Sequence, residues 1–221
     1  MTKRGFGTNF HKVYGSNPES YNKFSSAEYF SPKLYKRIHE LSSPGVLLDV
    51  ACGTGHKINL LSKSFEKVFA LDYSAPLLTL ARQKYGRNKK LNFLWSTAAH
   101  IPLLDESIDT IVVTWGSFPL SRTLREMKRV LKSGGSILRI GACVEDEFTT
   151  LFPSFDIKRI NRINRTFISQ GFTIEHHEVA IRFKNLKEAK EILTEIIGVP
   201  KQMINKTVFK HKVILCYYKK V

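Results

Sequence analysis

The stretch VLLDVACGTG, Val46 to Gly55, is an apolar run with one aspartate set in it, and it breaks off into small residues and two glycines. Apolar residues in an unbroken row suit a strand covered on both faces, as in a parallel sheet flanked by helices. Gly53-Thr54-Gly55 then leaves backbone bare at the strand's carboxyl end, just before a helical pattern begins at His56. In an open parallel sheet, ligands bind at that end, where the strand order reverses. The ligand must want bare backbone and a carboxylate, Asp49, with no lysine following to hold a phosphate.

The surrounding sequence supports such a sheet. After Gly45, short apolar runs alternate with longer amphipathic stretches, the pattern of βαβ units. Strands are predicted at Val46–Ala51, Val68–Leu71, Leu91–Trp95, Ile108–Thr114 and Ser136–Gly141, with helices near His56–Ser64, Pro76–Tyr85 and Pro119–Leu131. In the third helix Leu120, Leu124, Met127 and Leu131 repeat at helical spacing, and Ser133-Gly134-Gly135 is expected to end it. Beyond Gly141 come a basic helix around Ile157–Gln170, a strand in Phe172–Phe183, a helix over Leu186–Ile197 and a last strand in Val208–Tyr218, which makes seven strands. Residues 1–44 lack strand alternation and are rich in aromatics, so they are expected to form helices and loops over the sheet edge.

A nucleoside triphosphate would call for GxxxxGK[ST] in the glycine loop, and no such pattern is present. A nicotinamide dinucleotide would call for G-x-G-x-x-G, but Ile58 stands where the third glycine packs helix against strand, although Asp72 does follow at the right distance. S-adenosylmethionine carries an ammonium, a carboxylate, a ribose diol and an adenine, and no phosphate. Glycines let backbone approach it, Asp49 can face the ammonium, and Asp72 can accept both ribose hydroxyls.

Four blocks carry a family resemblance: LLDVACGTG, ALDYSAPLLTLAR, STAAHIPLLDESIDTIVVTW and LREMKRVLKSGGSILRI. In order and spacing, Val46–Gly141 resembles the class I S-adenosylmethionine-dependent methyltransferases, most closely the type 11, ubiquinone-methyltransferase-like group. The resemblance implies an α/β, Rossmann-like, seven-stranded, mostly parallel sheet of order 3-2-1-4-5-7-6 with the last strand antiparallel. It also implies an N-terminal helical lid over residues 1–44 and a cofactor-binding domain over 45–221. Carried onto this chain, it implies that Asp49, Ala51, Cys52, Gly53 and Gly55 cradle the methionine part of S-adenosylmethionine, with S-adenosylhomocysteine as product. It gives the ribose to Asp72 and the adenine's side to Tyr73 and Leu77. Where the family has Gly-Asp-Ala after strand three, this chain has Ser96-Thr97-Ala98, so the Thr97 hydroxyl and the Ala98 N–H are left to serve the adenine edge and weaker cofactor binding is expected.

Methyl transfer from a sulfonium is an in-line displacement of an already activated group, so alignment and exclusion of water matter more than a dedicated base. No catalytic residue is assigned on sequence. Thr114-Trp115-Gly116-Ser117 should lie beside the methyl group: Thr114 on the cofactor side, Trp115 and Ser117 as substrate candidates, with Tyr14 and Tyr21 as lid contacts. That stretch lacks the Asn/Asp-Pro-Pro-Tyr/Phe of amino-group methylators, and Cys143 lacks the Pro-Cys context of cytosine-carbon methylators. His100 is expected near the adenine or in solvent, and His176-His177, on opposite faces of a strand with no third ligand, signal no metal site.

With 221 residues and 43% hydrophobic, the chain has material for one α/β domain and its extension. Neither a membrane-length apolar run nor the apolar core of a signal peptide is present, and a cytoplasmic protein is expected. Cys52, Cys143 and Cys216 are expected reduced and buried. The net charge of +16 is spread along the whole chain, with clusters at Arg82–Lys90, Arg122–Lys132 and Lys158–Arg165. A small-molecule acceptor is therefore favoured, with RNA or protein as the alternative if the clusters converge, and a non-catalytic cofactor-binding partner as a further one. The sequence is silent on oligomeric state.

Overall fold

Both faces of the first predicted strand are covered. In a computed structural model, which describes residues 10–116, 120–143, 145–152 and 156–221, β2 (Val46–Val50) puts Leu48 and Val50 into one apolar layer and Leu47 into the opposite one. Asp49 shares Leu47's parity but lies one residue from the strand's end, at the mouth of the glycine turn.

Chain order begins with α1 (Phe10–Ser16), α2 (Pro18–Ala27), β1 (Glu28–Tyr29) and α3 (Pro32–Leu41). After β2 come α4 (His56–Leu61), β3 (Lys67–Asp72), α5 (Ala75–Tyr85), β4 (Leu91–Trp95) and β5 (Ile108–Thr114). The second half holds α6 (Leu120–Val130), β6 (Leu131–Ala142), α7 (Ile157–Ser169), β7 (Thr173–Arg182), α8 (Leu186–Ile197) and β8 (Val208–Lys219). The eight strands of the described residues join one sheet in the order β1-β7-β8-β6-β5-β2-β3-β4.

Without β1 this is the order the family resemblance implies, and β8 runs antiparallel to both of its neighbours. The sheet has eight strands rather than seven because Glu28 and Tyr29, inside the aromatic N-terminal segment, pair antiparallel with Ile181 and Ala180. Two residues are too few to show alternation, so this edge strand left no periodic trace. The rest of that segment does more than cover an edge. α3 lays Leu34 and Ile38 on the sheet face that also holds Leu47, Leu138 and Val213, and Arg37 pairs with Glu175 of β7, its Nη2 2.6 Å from Oε1.

Helix α6 forms as its spacing predicts, burying Leu124, Met127 and Val130 against the opposite face, where α7 adds Phe167. Each such side chain contributes about 1.5–3 kcal/mol by leaving water. The glycine pair after it does not end the helix. β6 starts at Leu131, and the register then jumps from Ile108↔Leu131 to Thr110↔Ser136, so residues 132–135 stand off as a bulge with Gly134 at φ +74°. Lys220 closes that bulge, accepting from the Gly134 N–H at 2.8 Å and donating to the Gly135 carbonyl at 2.9 Å.

The sheet positions the site through its reversal. The chain runs from β2 outward to β3 and β4, then returns to β5 on β2's other side, so the carboxyl ends of β2 and β5 lie together with diverging loops. No helix among the described residues is long and apolar enough to cross a membrane. Cys143 and Cys216 are buried and Cys52 is only partly so, because it belongs to the open turn.

Candidate active site

The turn after β2 holds three residues in the left-handed region: Ala51 at φ +64°, Gly53 at +56° and Gly55 at +79°. For alanine that conformation is strained, and such strain collects where a site demands it. Hydrogen bonds hold the turn, with the Cys52 N–H on the Leu71 carbonyl and the Gly55 N–H on the Cys52 carbonyl, each at 3.0 Å. A Cβ on Gly53 would lie 3.1 Å from Tyr21 Cε1, and one on Gly55 would lie 3.2 Å from Tyr85 Cδ2. The glycines are thus needed for both backbone angle and close approach.

Asp72, the last residue of β3, reaches this turn. Its Oδ2 accepts from the Gly53 N–H and its Oδ1 from the Ser74 N–H, both at 2.8 Å. Burial raises its carboxyl above the usual range, partly offset by these N–H donors. Each oxygen has a further lone pair to offer a ligand.

Asp49 is buried, at 3% exposure, and its Oδ1 has no hydrogen-bond partner among the described residues; the Thr54 hydroxyl is equally orphaned. Burial pushes the Asp49 carboxyl well above its ordinary value, and the charge of Asp72 adds to the shift. An unpartnered buried acid is costly unless something binds to it. An ammonium would satisfy it, so the turn and the two acids fit the amino-acid and ribose parts of S-adenosylmethionine.

Beside the turn lies a cavity of ≈ 140 Å³. Asp49, Ala51, Cys52 and Thr114 line it, with Trp115, Tyr14 and Tyr21, so seven of the sequence candidates come together there. Tyr14 and Tyr21 meet edge to face at 4.8 Å, and burial raises both phenols. Gly53, Gly55 and Asp72 form the adjoining turn outside the cavity lining. Tyr73 is half exposed and Leu77 buried at the start of α5, while Thr97 is exposed and Ala98 partly buried after β4; none of these four lines the cavity. His100 is exposed. Ser117 lies outside the described residues.

Trp115, at φ +59°, has its indole Nε1 on both Glu28 oxygens, at 2.8 and 2.9 Å, and its ring stacked on His211 at 5.5 Å. Glu28 also holds Lys57, whose Nζ is 3.3 Å from Oε2 and donates to the Glu28 carbonyl at 2.6 Å. Burial lowers the Lys57 ammonium, countered by Glu28. His56 lines the same cavity with its pKa lowered to about 4 by burial, helped by Lys57 and Lys84, and is neutral at pH 7.

Sequence reasoning missed Glu28, Lys57, Phe148, Asp146 and His211. For His211 a signal existed: in β8 it shares strand parity with Phe209, Val213 and Leu215, so a period of two places it among buried residues. Glu28, Lys57, Phe148 and Asp146 reach the site only when segments distant in sequence come together.

A family model described as "Methyltransferase domain" matches residues 48–138, which contain the turn, Asp72 and the β5 end. A demethylmenaquinone methyltransferase of Lactiplantibacillus plantarum is 32% identical over 120 residues, covering 50% of this chain and 50% of that protein. One of Lactococcus lactis subsp. lactis is 31% identical over 154 residues, covering 63% of this chain and 59% of that one. The chain therefore spans only half to three-fifths of the length of these curated relatives. Among solved structures, the YcgJ protein of Bacillus subtilis superposes with a TM-score of 0.58 at 18% identity, over 85% of this chain and 97% of that one, which is a likeness of fold. The glycine turn and the paired acids thus lie inside a segment that matches the methyltransferase-domain family, on a fold like that of solved class I methyltransferases.

Proposed function

We propose that this chain transfers a methyl group from S-adenosylmethionine to a small-molecule acceptor seated in the cavity between the glycine turn and Trp115. The observation that carries the reading is the orphaned, buried Asp49 Oδ1 beside a turn whose Gly53 N–H is held by Asp72. When bound, S-adenosylmethionine supplies a methyl group on a positively charged sulfur. Asp49 faces the ammonium, Gly53 and Gly55 admit the methionine part, and Asp72 takes the ribose. Tyr73, Leu77, Thr97 and Ala98 border the adenine. Tyr14 and Tyr21 act as the lid of the N-terminal segment, excluding water from the turn.

The acceptor is proposed to be a flat, largely apolar ring of the quinone type, in line with the names of the curated relatives and with the Phe24, Trp115, Phe148 and Phe152 walls. A nucleic-acid acceptor has less support. Basic α6 and α7 pack on the sheet face of Leu124 and Phe167, whereas Tyr85 of α5, in the Arg82–Lys90 cluster, belongs to the other face. Two of the three clusters thus share one sheet face and the third lies on the other, which argues against a single phosphate-tracking surface made of all three.

The reading is tested by incubating the chain with methyl-labelled cofactor, a reduced naphthoquinone and, separately, total RNA. Label in the organic extract is expected. Label in RNA alone would replace the small-molecule reading.

A further inference from the structure

His211 lines the cavity, stacked on Trp115, and a carboxylate holds one of its ring nitrogens. Its Nδ1 is 2.8 Å from Asp146 Oδ2. Asp146 is itself anchored: its Oδ1 accepts from the N–H groups of Phe148 and Thr149, at 3.0 and 2.9 Å, and its Oδ2 from the Lys212 N–H at 2.6 Å. Burial alone would raise the Asp146 carboxyl, but the hydrogen bonds from His211, Thr149 and Lys212 hold it below the ordinary carboxylate value. An ionised carboxylate only accepts, so Nδ1 carries a hydrogen and Nε2 is the nitrogen left to exchange a proton with a ligand. The ring cannot turn away, with Trp115 stacked at 17° on one side and Phe148 edge-on at 5.2 Å on another.

We infer that His211 is the general base of this site and Asp146 its positioning residue, and that the methyl acceptor carries an ionisable hydroxyl on an aromatic ring. The inference rests on the methyltransferase reading. The acceptor's hydroxyl proton passes to His211 Nε2. The oxygen uses the freed electron pair to bond the methyl carbon, while the carbon–sulfur bond breaks with its pair left on sulfur. The imidazolium, stabilised by Asp146, then releases its proton to water. Other titratable groups on the cavity wall are placed for different work. Glu28 is held by Lys57 and the Trp115 indole, His56 stays neutral, and Asp49, Tyr14 and Tyr21 lie on the turn side.

The test uses p-nitrophenol, whose ionised form absorbs separately from its neutral form, with the wild-type chain and the variants His211→Gln and Asp146→Asn. Below the probe's own pKa, the bound phenol should be on the order of tenfold more ionised than the free one, a shift of about one pKa unit. His211→Gln should abolish that excess and Asp146→Asn reduce it. Should either variant fold poorly, the nitrogen spectrum of the wild-type His211 ring decides separately, with the Nδ1–H tautomer expected. A cavity that leaves the phenol unbound, or binds it with its solution ionisation, overturns the base, as does an Nε2–H tautomer. Calorimetry with S-adenosylhomocysteine in the same samples keeps the two readings apart. Its affinity should be unchanged by either variant, and loss of binding in the wild type would count against the methyltransferase reading alone.

Discussion

Asp49 sits in an otherwise apolar strand with one oxygen unpartnered among the described residues, and consequences for stability and for binding follow from that. Its carboxyl is raised by burial in the ligand-free chain, so the folded state binds a proton more tightly than the unfolded one. Stability should therefore fall as pH rises from the ordinary aspartate value through the raised one. A bound ammonium reverses the preference and requires the carboxylate, so binding should release a proton and weaken as pH drops below the raised value. Calorimetry in buffers of different ionisation enthalpy measures that release. Asp49→Asn should remove the proton linkage and weaken S-adenosylhomocysteine by about 1.5–3 kcal/mol, or about tenfold to a hundredfold.

Gly53 at φ +56° makes an independent case at the same scale. Alanine there meets left-handed strain of about 1–2 kcal/mol and must also push Tyr21 aside. Gly53→Ala should lower the melting temperature by about 2–8 °C, read by thermal unfolding. These residues were legible because strand, turn and acid are contiguous in the sequence. Glu28 was not, since its partners Lys57 and Trp115 lie 29 and 87 residues away.

Among the elements, α6 shows what periodicity does and does not convey. Its apolar stripe of Leu124, Met127 and Val130 identifies the helix and its buried face. The same helix carries Glu126, which ties down the loop before β5: Oε2 accepts from the Ile101 N–H at 2.9 Å, and both oxygens accept from Arg129. The Arg129 guanidinium lowers the Glu126 carboxyl to about 2 from 4.5. That stabilisation is present above about pH 4.5 and lost as pH falls through about 2. Glu126→Gln should leave an unfolding midpoint less sensitive to acid than the wild type's, as measured by urea titration from pH 6 downward. Gly134 marks the other limit. A glycine after a helix reads as a cap, but the register of β6 against β5 is a pairing between strands, and the bulge it creates cannot be seen in one strand's residues.

At the scale of the whole molecule, seven of the eight strands among the described residues were legible because short apolar runs alternate with amphipathic stretches, and their order came from the resemblance carried by the four blocks. The edge strand β1 and the His211–Asp146 pair escaped notice because each comes from bringing distant segments together, residue 28 to 181 and residue 146 to 211. What the assembled sheet provides is a place where the loops after β2 and β5 diverge, and there an orphaned acid, a glycine turn and a cavity coincide. The most direct measurement is calorimetric titration of the chain with S-adenosylhomocysteine, alongside Asp72→Ala, which removes the turn's carboxylate. Saturable one-to-one binding by the wild type and loss of at least about tenfold in affinity for the variant are expected. No binding by the wild type, or binding indifferent to Asp72, would contradict a cofactor held at this turn.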